Sequence, residues 1–539
     1  MKQYQGKSVY SGTAIGPVKV ISKRELTVTD SKIQDISQEL QRLQRAVETS
    51  LAQLDDLYEK AVLEAGEETA EILQAHKMLI EDEEFLGTVT GLIESEGFNA
   101  EYAVRQTEEQ LVEMFSAIKD DYLRERAADV RDISDRVLRN LFGAVTDYSL
   151  QEPSIVVAED LTPSETVSMD KSKILAFVTE KGSTNSHTAI LARMMGIPAL
   201  VQVPLDFAEI RDGMQVIVYG DKGIAIFEPD EETVAEAKRQ LEEETAAKEL
   251  LESIRGKKIF TKTGRQIELA ANIGNPEDVE SALKCDAEGI GLFRSEFLFF
   301  GRDSAPTEEE QFKAYKAALE GMGGRRVVIR TMDIGADKRV EYLGLAEEEN
   351  PALGLRAIRI CLTQPEIFRT QIRALLRASV YGKLAIMYPM ITSCEEVKEI
   401  LSFVDAVQEE LISEGFEVGA FEQGIMIETP AAAIISDQLA KLVDFFSVGT
   451  NDLTQYTLAV DRQGLELERF CNPYHEAVLR LLSFASENAH KEGKWIGICG
   501  ELGADTSMAE KFLKMEIDEL SMSPPSILGM RKRLLELTK

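Results

Sequence analysis

The apolar positions of this chain change period along its length, and each change predicts a change of structure. The first twenty residues alternate and carry Gly6, Gly12 and Gly16, a pattern of short strands rather than helix. From Ile33 onward, Ile36, Leu40, Leu43, Val47, Leu51, Leu54 and Leu57 recur at steps of three and four, which predicts a helix with one apolar stripe. A second helical run is expected over 72–86 and a third over roughly 100–141, with Gly66, Gly87 and Gly97 as punctuation. Residues 25–145 therefore read as an all-helical subdomain.

Strand patterns return at 154–157, 174–178, 215–219 and 223–227, with a helix-like stretch over 188–195 between them. The simplest nesting joins 1–24 and 146–230 into one α/β domain, with the helices inserted into it. Residues 231–255 contain neither Gly nor Pro and are rich in Ala, Glu, Lys and Leu, so 231–257 is expected to be a helical linker. Beyond it, strand-like runs at 268–273, 289–293, 326–330, 384–388, 424–428, 444–448, 495–499 and 517–521 alternate with helix-like sequence. Eight such runs over 258–539 match a (β/α)8 barrel better than an open sheet, and the whole reads as an α/β multidomain chain.

Composition narrows the function classes. Of 539 residues, 60 are Lys or Arg and 94 Asp or Glu, a net charge of −34 that disfavours nucleic acid and anionic lipid as partners. The excess is concentrated in residues 31–145, which hold 12 basic and 26 acidic side chains. No apolar run approaches the ~20 residues of a membrane span, and the start lacks a secretory apolar core. The five cysteines include no C-x-x-C pair, which argues against a disulfide framework or zinc cluster and for a reduced, cytoplasmic protein.

Candidate chemistry falls in two places. His187, one of only four histidines, lies in KGSTNSHTAILAR, where a turn of small residues opens a predicted helix. A helix N-terminus favours an anion, which suits a histidine that carries a phosphoryl group; by position alone, an incidental histidine in a capping loop is the commoner reading. His76, within a helical run, defaults to packing. In the barrel half, Arg294 follows one predicted strand, Arg330, Glu428 and Cys499 end three others, and Asn451 and Asp452 follow a fifth. These are C-terminal strand ends, the active-site face of such barrels, and Arg462 follows in the next loop. Three arginines can grip an anion bearing carboxylate and phosphate. Glu428 and Asp452 offer two hard oxygen ligands for Mg²⁺, unless they are unrelated carboxylates. A strand-end thiol of ordinary pKa ~8.5 can deliver a proton near neutrality, unless Cys499 is a buried structural cysteine. The substrate class this suggests is a phosphorylated three-carbon acid.

The motifs carry a resemblance. EDLTPSET (159–166), GSTNSHTAILAR (182–193), GIGLFRSEFLF (289–299), IRTMDIGADK (329–338), NPALGLRAIR (350–359), MIETPAA (426–432), VGTNDLTQYTLAVDR (448–462) and ICGELGAD (498–505) run in one order through the chain. It resembles the Enzyme I family of the bacterial phosphoenolpyruvate-dependent sugar phosphotransferase system. In the helical insert, QAHKMLIED (74–82) and YLRERAADVRDISDRV (122–137) extend the likeness. The resemblance implies a swivelling phosphohistidine domain and a helical insert that docks the histidine-containing phosphocarrier protein. It also implies a barrel that binds phosphoenolpyruvate and forms a homodimer. It further implies that His187 is phosphorylated, with Thr166 hydrogen-bonded to it, and that Arg294, Arg330, Asn451, Asp452 and Arg462 bind phosphoenolpyruvate, with Arg356 touching its phosphoryl group. Glu428 and Asp452 would ligate Mg²⁺, for which Mn²⁺ can substitute, and Cys499 would protonate the enolate of pyruvate.

The alternatives are a phosphoenolpyruvate synthase or pyruvate phosphate dikinase, which needs a nucleotide-binding domain for which this chain has no evident room, and a non-enzymatic docking protein, which would be expected to have lost these motif residues. Two departures stand out. Gly182-Ser183 and Asn185 replace the family's usual Gly-Gly and Thr before the histidine, and the chain stops at Lys539, where relatives run on. The latter is expected to leave a last helix over 526–537 more exposed.

Overall fold

The computed structural model describes residues 1–21, 28–65, 67–116, 121–143, 150–183, 186–335, 340–346, 348–462 and 465–538. The chain forms two compact units, residues 1–247 and 248–539. Among the described residues no helix is long and apolar enough to cross a membrane.

In the first unit, four parallel strands make the centre of an eight-stranded sheet: Thr13–Ile21, Ser154–Ala158, Ile174–Thr179 and Ala199–Val201. Ser154–Ala158 and Ile174–Thr179 are almost wholly buried, as continuous apolar runs in a parallel sheet require. Lys7–Tyr10 closes one edge antiparallel, and Gln215–Tyr219, Ile224–Phe227 and Lys2–Gln5 extend the other. The neighbouring strands Thr13–Ile21 and Ser154–Ala158 are separated in sequence by residues 22–153 because the helices leave and return between them.

Those helices are Ile36–Ala65, Glu67–Glu81, Glu83–Glu96, Ala100–Ser116 and Asp121–Phe142. The run expected over 72–86 is in fact two helices. Asp82 interrupts it, its carboxylate accepting the Glu84 N–H as an N-cap. Gly87 does not punctuate; it lies inside Glu83–Glu96, and Gly97 ends that helix in the left-handed conformation, φ 67°. Gly66 lies outside the described residues. His76 is fully buried, its Nε2 3.2 Å from Asp129 and its Nδ1 3.5 Å from Asp132, so it belongs to the core of the insert. Arg42 ties three helices together through Glu39, Glu101 and the Leu141 carbonyl.

The helix Glu231–Ser253 follows, with Ala237 its one buried residue. Its Glu244 fastens to the sheet by accepting from the Thr13 N–H at 2.9 Å and the Thr13 hydroxyl at 2.8 Å.

The second unit is a closed parallel barrel. Its strands, in spatial as in chain order, are Gln266–Ile273, Ile290–Arg294, Arg326–Arg330, Lys383–Tyr388, Phe421–Ile427, Phe445–Val448, Trp495–Ile498 and Glu519–Met522. The last pairs with the first, Glu519 opposite Glu268, and the short strand Ile259–Phe260 folds back antiparallel on Gln266–Ile273. Outward side chains such as Ile290, Ile329, Ile386 and Ile427 pack under the helices, while Leu292, Val328, Ala385, Met426, Phe445 and Cys499 fill the inside. The last helix, Ile527–Thr538, buries Ile527, Met530, Arg531 and Leu534, so one whole face is covered rather than exposed. Arg531, with no exposed surface, pairs with Asp286 at 2.8 Å and Glu288 at 3.7 Å and donates to the Asp286 carbonyl.

Removing one side of a buried ion pair strands the other charge. Arg531→Ala should cost the barrel about 3–5 kcal/mol, read as a lower urea midpoint at unchanged slope, and Arg531→Met, which refills the volume but leaves Asp286 unpaired, should recover little of the loss if the stranded charge is its main source.

Candidate active site

The barrel strands deliver their C-terminal ends to one open cavity of about 1350 Å³. Arg294, Arg330, Arg356, Glu428, Asn451, Asp452, Arg462 and Cys499 all line it, so the structure brings every barrel residue singled out by sequence into one place.

What holds them is an alternation of charge. Glu296 meets Arg330 at 2.9 Å, and Asp333 meets Arg330 and Arg356 at 2.8 Å each. Asp452 lies 3.6 Å from Arg356 and 3.4 Å from Arg462. The tie continues through Tyr456, whose hydroxyl accepts from Arg356 at 3.1 Å and donates to the Ala352 carbonyl. Asp452 and Tyr456 stand four residues apart on the helix Thr450–Leu458, which places both on one face. Ala357, at φ 52°, sends its N–H to the Ile334 carbonyl and fixes the backbone next to Arg356. Glu296, Asp333 and Tyr456 are functional-site residues that sequence reasoning did not assign. Each lies inside a quoted motif, but nothing local marks it as a partner of an arginine far away in the chain.

Arg330 and Arg356 are held firmly cationic: burial opposes the charge, and Glu296 and Asp333 around Arg330, Asp333 and Asp452 around Arg356, overcome it. Both keep a buried Nε–H without a hydrogen-bond acceptor. Arg294 is exposed at the end of its strand, and the Asn451 side-chain carbonyl accepts from the Glu501 N–H at 3.4 Å.

Glu428 is 1% exposed and accepts the Met390 N–H at 2.6 Å; Met390 takes φ 61° to present it. Burial pushes its carboxyl well above the usual range, with Asp333 and Asp452 adding to the effect and Arg330 and Arg356 opposing it. Gly449 makes room: a Cβ there would stand 2.9 Å from the Glu428 carboxylate. Asp452 Oδ1 is buried and accepts no hydrogen bond. A carboxylate whose charge is disfavoured and an unsatisfied carboxylate oxygen, facing one cavity, fit a divalent cation. Among the described residues no three His, Cys, Asp or Glu side chains form a complete cage, so substrate and water oxygens would have to finish the coordination.

Cys499 differs from expectation. It is 3% exposed, its Sγ 3.6 Å from the Val448 carbonyl, and burial pushes the thiol up to about 11, with the Ser447 hydroxyl and Arg330 opposing. It does not titrate near neutrality; it holds its proton.

In the first unit, Ser186 caps the helix His187–Met195, accepting the Ala189 N–H, and His187 is its first residue. The His187 side chain, Thr184 and Asn185 lie outside what is described. Gly182 takes φ 94°, which glycine adopts freely. Thr166 is buried in the helix Pro163–Ser168, started by a Thr162–Glu165 capping box. Thr188 reaches the Leu161 carbonyl at 3.5 Å and so links the two helix starts.

Comparison with known proteins gives matches over most of the chain. Residues 248–538 match the family described as PEP-utilising enzyme, PEP-binding domain; 5–126 match its N-terminal domain and 150–223 its mobile domain. A phosphoenolpyruvate-protein phosphotransferase of Priestia megaterium is 43% identical over 541 residues, covering 100% of this chain and 94% of its own. The enzyme of that name from Bacillus subtilis (strain 168) is 43% identical over 542 residues, covering 100% and 95%. A solution structure of an Enzyme I (nEIt) protein is 37% identical, covering 45% of this chain and 99% of its own, with a TM-score of 0.41.

With its thiol raised from ~8.5 to about 11, Cys499 should be alkylated by iodoacetamide at pH 8 roughly a hundredfold more slowly than in the unfolded chain. The rate should climb with pH towards 11; mass mapping of the modified peptide measures both.

Proposed function

The chain belongs to the phosphoenolpyruvate-protein phosphotransferases, and from that premise we propose how its residues divide the work. As a member it is a phosphoenolpyruvate-dependent phosphotransferase of the sugar phosphotransferase system, and relatives of that name spanning the whole chain do not favour a dikinase or synthase. In our reading the phosphoryl group passes from phosphoenolpyruvate to His187 and then to the histidine-containing phosphocarrier protein, with pyruvate released. The observation that carries the barrel's part is the cluster of firmly cationic arginines and buried carboxylates around one cavity.

Arg294, Arg330 and Arg462 would hold the substrate's carboxylate and phosphate, with Asn451 beside them and Arg356 near the phosphoryl group. Guanidinium suits this task because it stays charged and donates in a planar fork. Glu428 and Asp452 would hold Mg²⁺, which, when bound, would neutralise charge on the phosphoryl and enolate oxygens. The imidazole of His187 would form the new P–N bond as the ester C2–O–P linkage breaks at phosphorus, leaving the enolate of pyruvate in the barrel. Cys499, still protonated because burial disfavours its thiolate, would then give its proton to the enolate carbon. Thr166 would support His187. Residues 1–24 and 146–230 would form the phosphohistidine domain and 25–145 the acidic docking surface for the carrier, with 231–257 as linker and 258–539 as the substrate domain through which two copies pair.

Labelled phosphoenolpyruvate with Mg²⁺ should place an acid-labile, base-stable label on His187 alone; label on His76, or label that survives acid, refutes the assignment. A fragment ending near Arg255 should exchange phosphate with phosphorylated carrier yet take none from phosphoenolpyruvate.

The cation reading has its own test. Mn²⁺ should bind the full chain with phosphoenolpyruvate present, by electron paramagnetic resonance, and Glu428→Ala or Asp452→Ala should weaken that binding by at least about tenfold. Undiminished Mn²⁺ binding in both variants would remove these residues from the role.

A further inference from the structure

One interior layer below Cys499, the barrel holds two buried polar atoms that the reaction outlined above leaves unused. On three neighbouring strands Ser447 is paired with Gly497, and Gly497 with Glu519. Side chains alternate along a strand, so Gly497 shares the interior face of Trp495 and Cys499, its neighbours two residues before and after. Ser447 and Glu519 are each 1% exposed. The Ser447 hydroxyl has no hydrogen-bond partner of good geometry, yet it is near enough to Cys499 to favour the thiolate. Glu519 accepts from Arg326 Nη2 at 3.1 Å through one oxygen, and the other, Oε1, is buried without a partner.

Glycines keep the space around that oxygen open. A Cβ on Gly497 would stand 3.2 Å from Glu519 Oε1, and one on Gly291 would come within 2.5 Å of it. The surroundings also favour a proton on Glu519. Arg326 pairs with two carboxylates of this layer, Glu268 at 2.6 Å and Glu519 at 3.1 Å, and a third, Glu422, accepts from the Trp495 indole at 3.2 Å. A guanidinium shared between carboxylates neutralises neither fully, and a fully buried carboxylate loses most by being charged. Burial accordingly pushes Glu519 up, with Arg326 opposing and Glu268 and Glu422 reinforcing. Glu268 is partly exposed and connects this layer to solvent.

We propose that Glu519 is the proton reservoir for Cys499, acting through Ser447; the proposal rests on the reading of Cys499 as the acid that completes pyruvate formation. The steps balance. The Cys499 S–H bond breaks as a C–H bond forms at the enolate carbon and C2–O becomes a carbonyl. The thiolate takes the Ser447 hydroxyl proton, a water in the space beside Gly497 gives a proton to Ser447 and takes the carboxyl proton of Glu519, and the resulting carboxylate is compensated by Arg326 until solvent returns a proton by way of Glu268. Glu519 touches no substrate, so it is a relay residue; a purely structural role as the counter-ion of Arg326 is the competing account.

The test uses the full chain with phosphoenolpyruvate and Mg²⁺, comparing wild type with Glu519→Gln, Glu519→Asp and Ser447→Ala. Rapid quench gives the rate of phosphorylation, and stereochemical analysis of pyruvate made from 3-deuterated substrate in tritiated water gives the rate and face of methyl protonation. Glu519→Gln should leave phosphorylation unchanged while slowing protonation about tenfold and eroding its facial selectivity. Ser447→Ala should do the same, and Glu519→Asp, which keeps an acid, should recover part of the rate. Protonation as fast and as selective in Glu519→Gln as in wild type overturns the relay. So does a parallel fall in both steps, the mark of a structural counter-ion. A wild-type chain that takes no label at all would instead overturn the phosphotransfer reading, and the relay with it.

Discussion

A charge taken out of water must find a partner, and at the mouth of the barrel that requirement passes through Asp333. Its two oxygens hold Arg330 and Arg356 at 2.8 Å each, and its own N–H is accepted by Glu296, which holds Arg330 from the other side. Leaving a buried ion unpaired costs several kcal/mol, so none of these groups can move alone. The strand Arg326–Arg330, the loop that carries Arg356 and the helix Thr450–Leu458 are thereby bound to one network. The barrel supplies the frame; the charge pairing sets where the guanidinium groups stand before any ligand arrives.

That network explains the limits of what the sequence could show. All eight barrel strands were legible from their short apolar runs, and their C-terminal ends pointed to Arg294, Arg330, Glu428, Asp452 and Cys499, because strand order in a barrel follows chain order. Asp333 and Glu296 were not legible as partners, since their role depends on side chains that meet only when the barrel closes. The helical insert shows the same division. Its stripe of leucines was visible, while the break at Asp82 depended on a cap and the helical position of Gly87 on packing, which its local propensity does not reveal. The thiol of Cys499 was read at its free value because burial is not written in a strand-end motif.

Glycine does specific work in this barrel by permitting close approach. Gly449 lets the Glu428 carboxylate lie against the start of the next helix, and a Cβ on Gly500 would stand 2.0 Å from the Thr450 hydroxyl, at the helix that carries Asn451 and Asp452. Both glycines have negative φ, −83° and −81°, so it is the missing side chain, not an unusual backbone, that matters. The site is thus placed as much by volume removed as by groups supplied.

The distances also rank the pairs by how readily they can be exchanged. Around Asp333 the contacts are 2.8 Å, short charge-assisted hydrogen bonds. Around Asp452 they are 3.4 and 3.6 Å, beyond good hydrogen-bond length, and its Oδ1 accepts no hydrogen bond. Asp452 is therefore the member of the network that loses least by changing partner. In the proposed reaction it is also the member that must change, because the anion competes for Arg356 and Arg462 while the cation competes for the carboxylate. An arriving pair of opposite charges satisfies both sides of the broken contact at once, whereas either alone leaves one buried charge uncompensated. The tight half of the network holds the arginines in place, and the loose half is where substrate and cation can enter together.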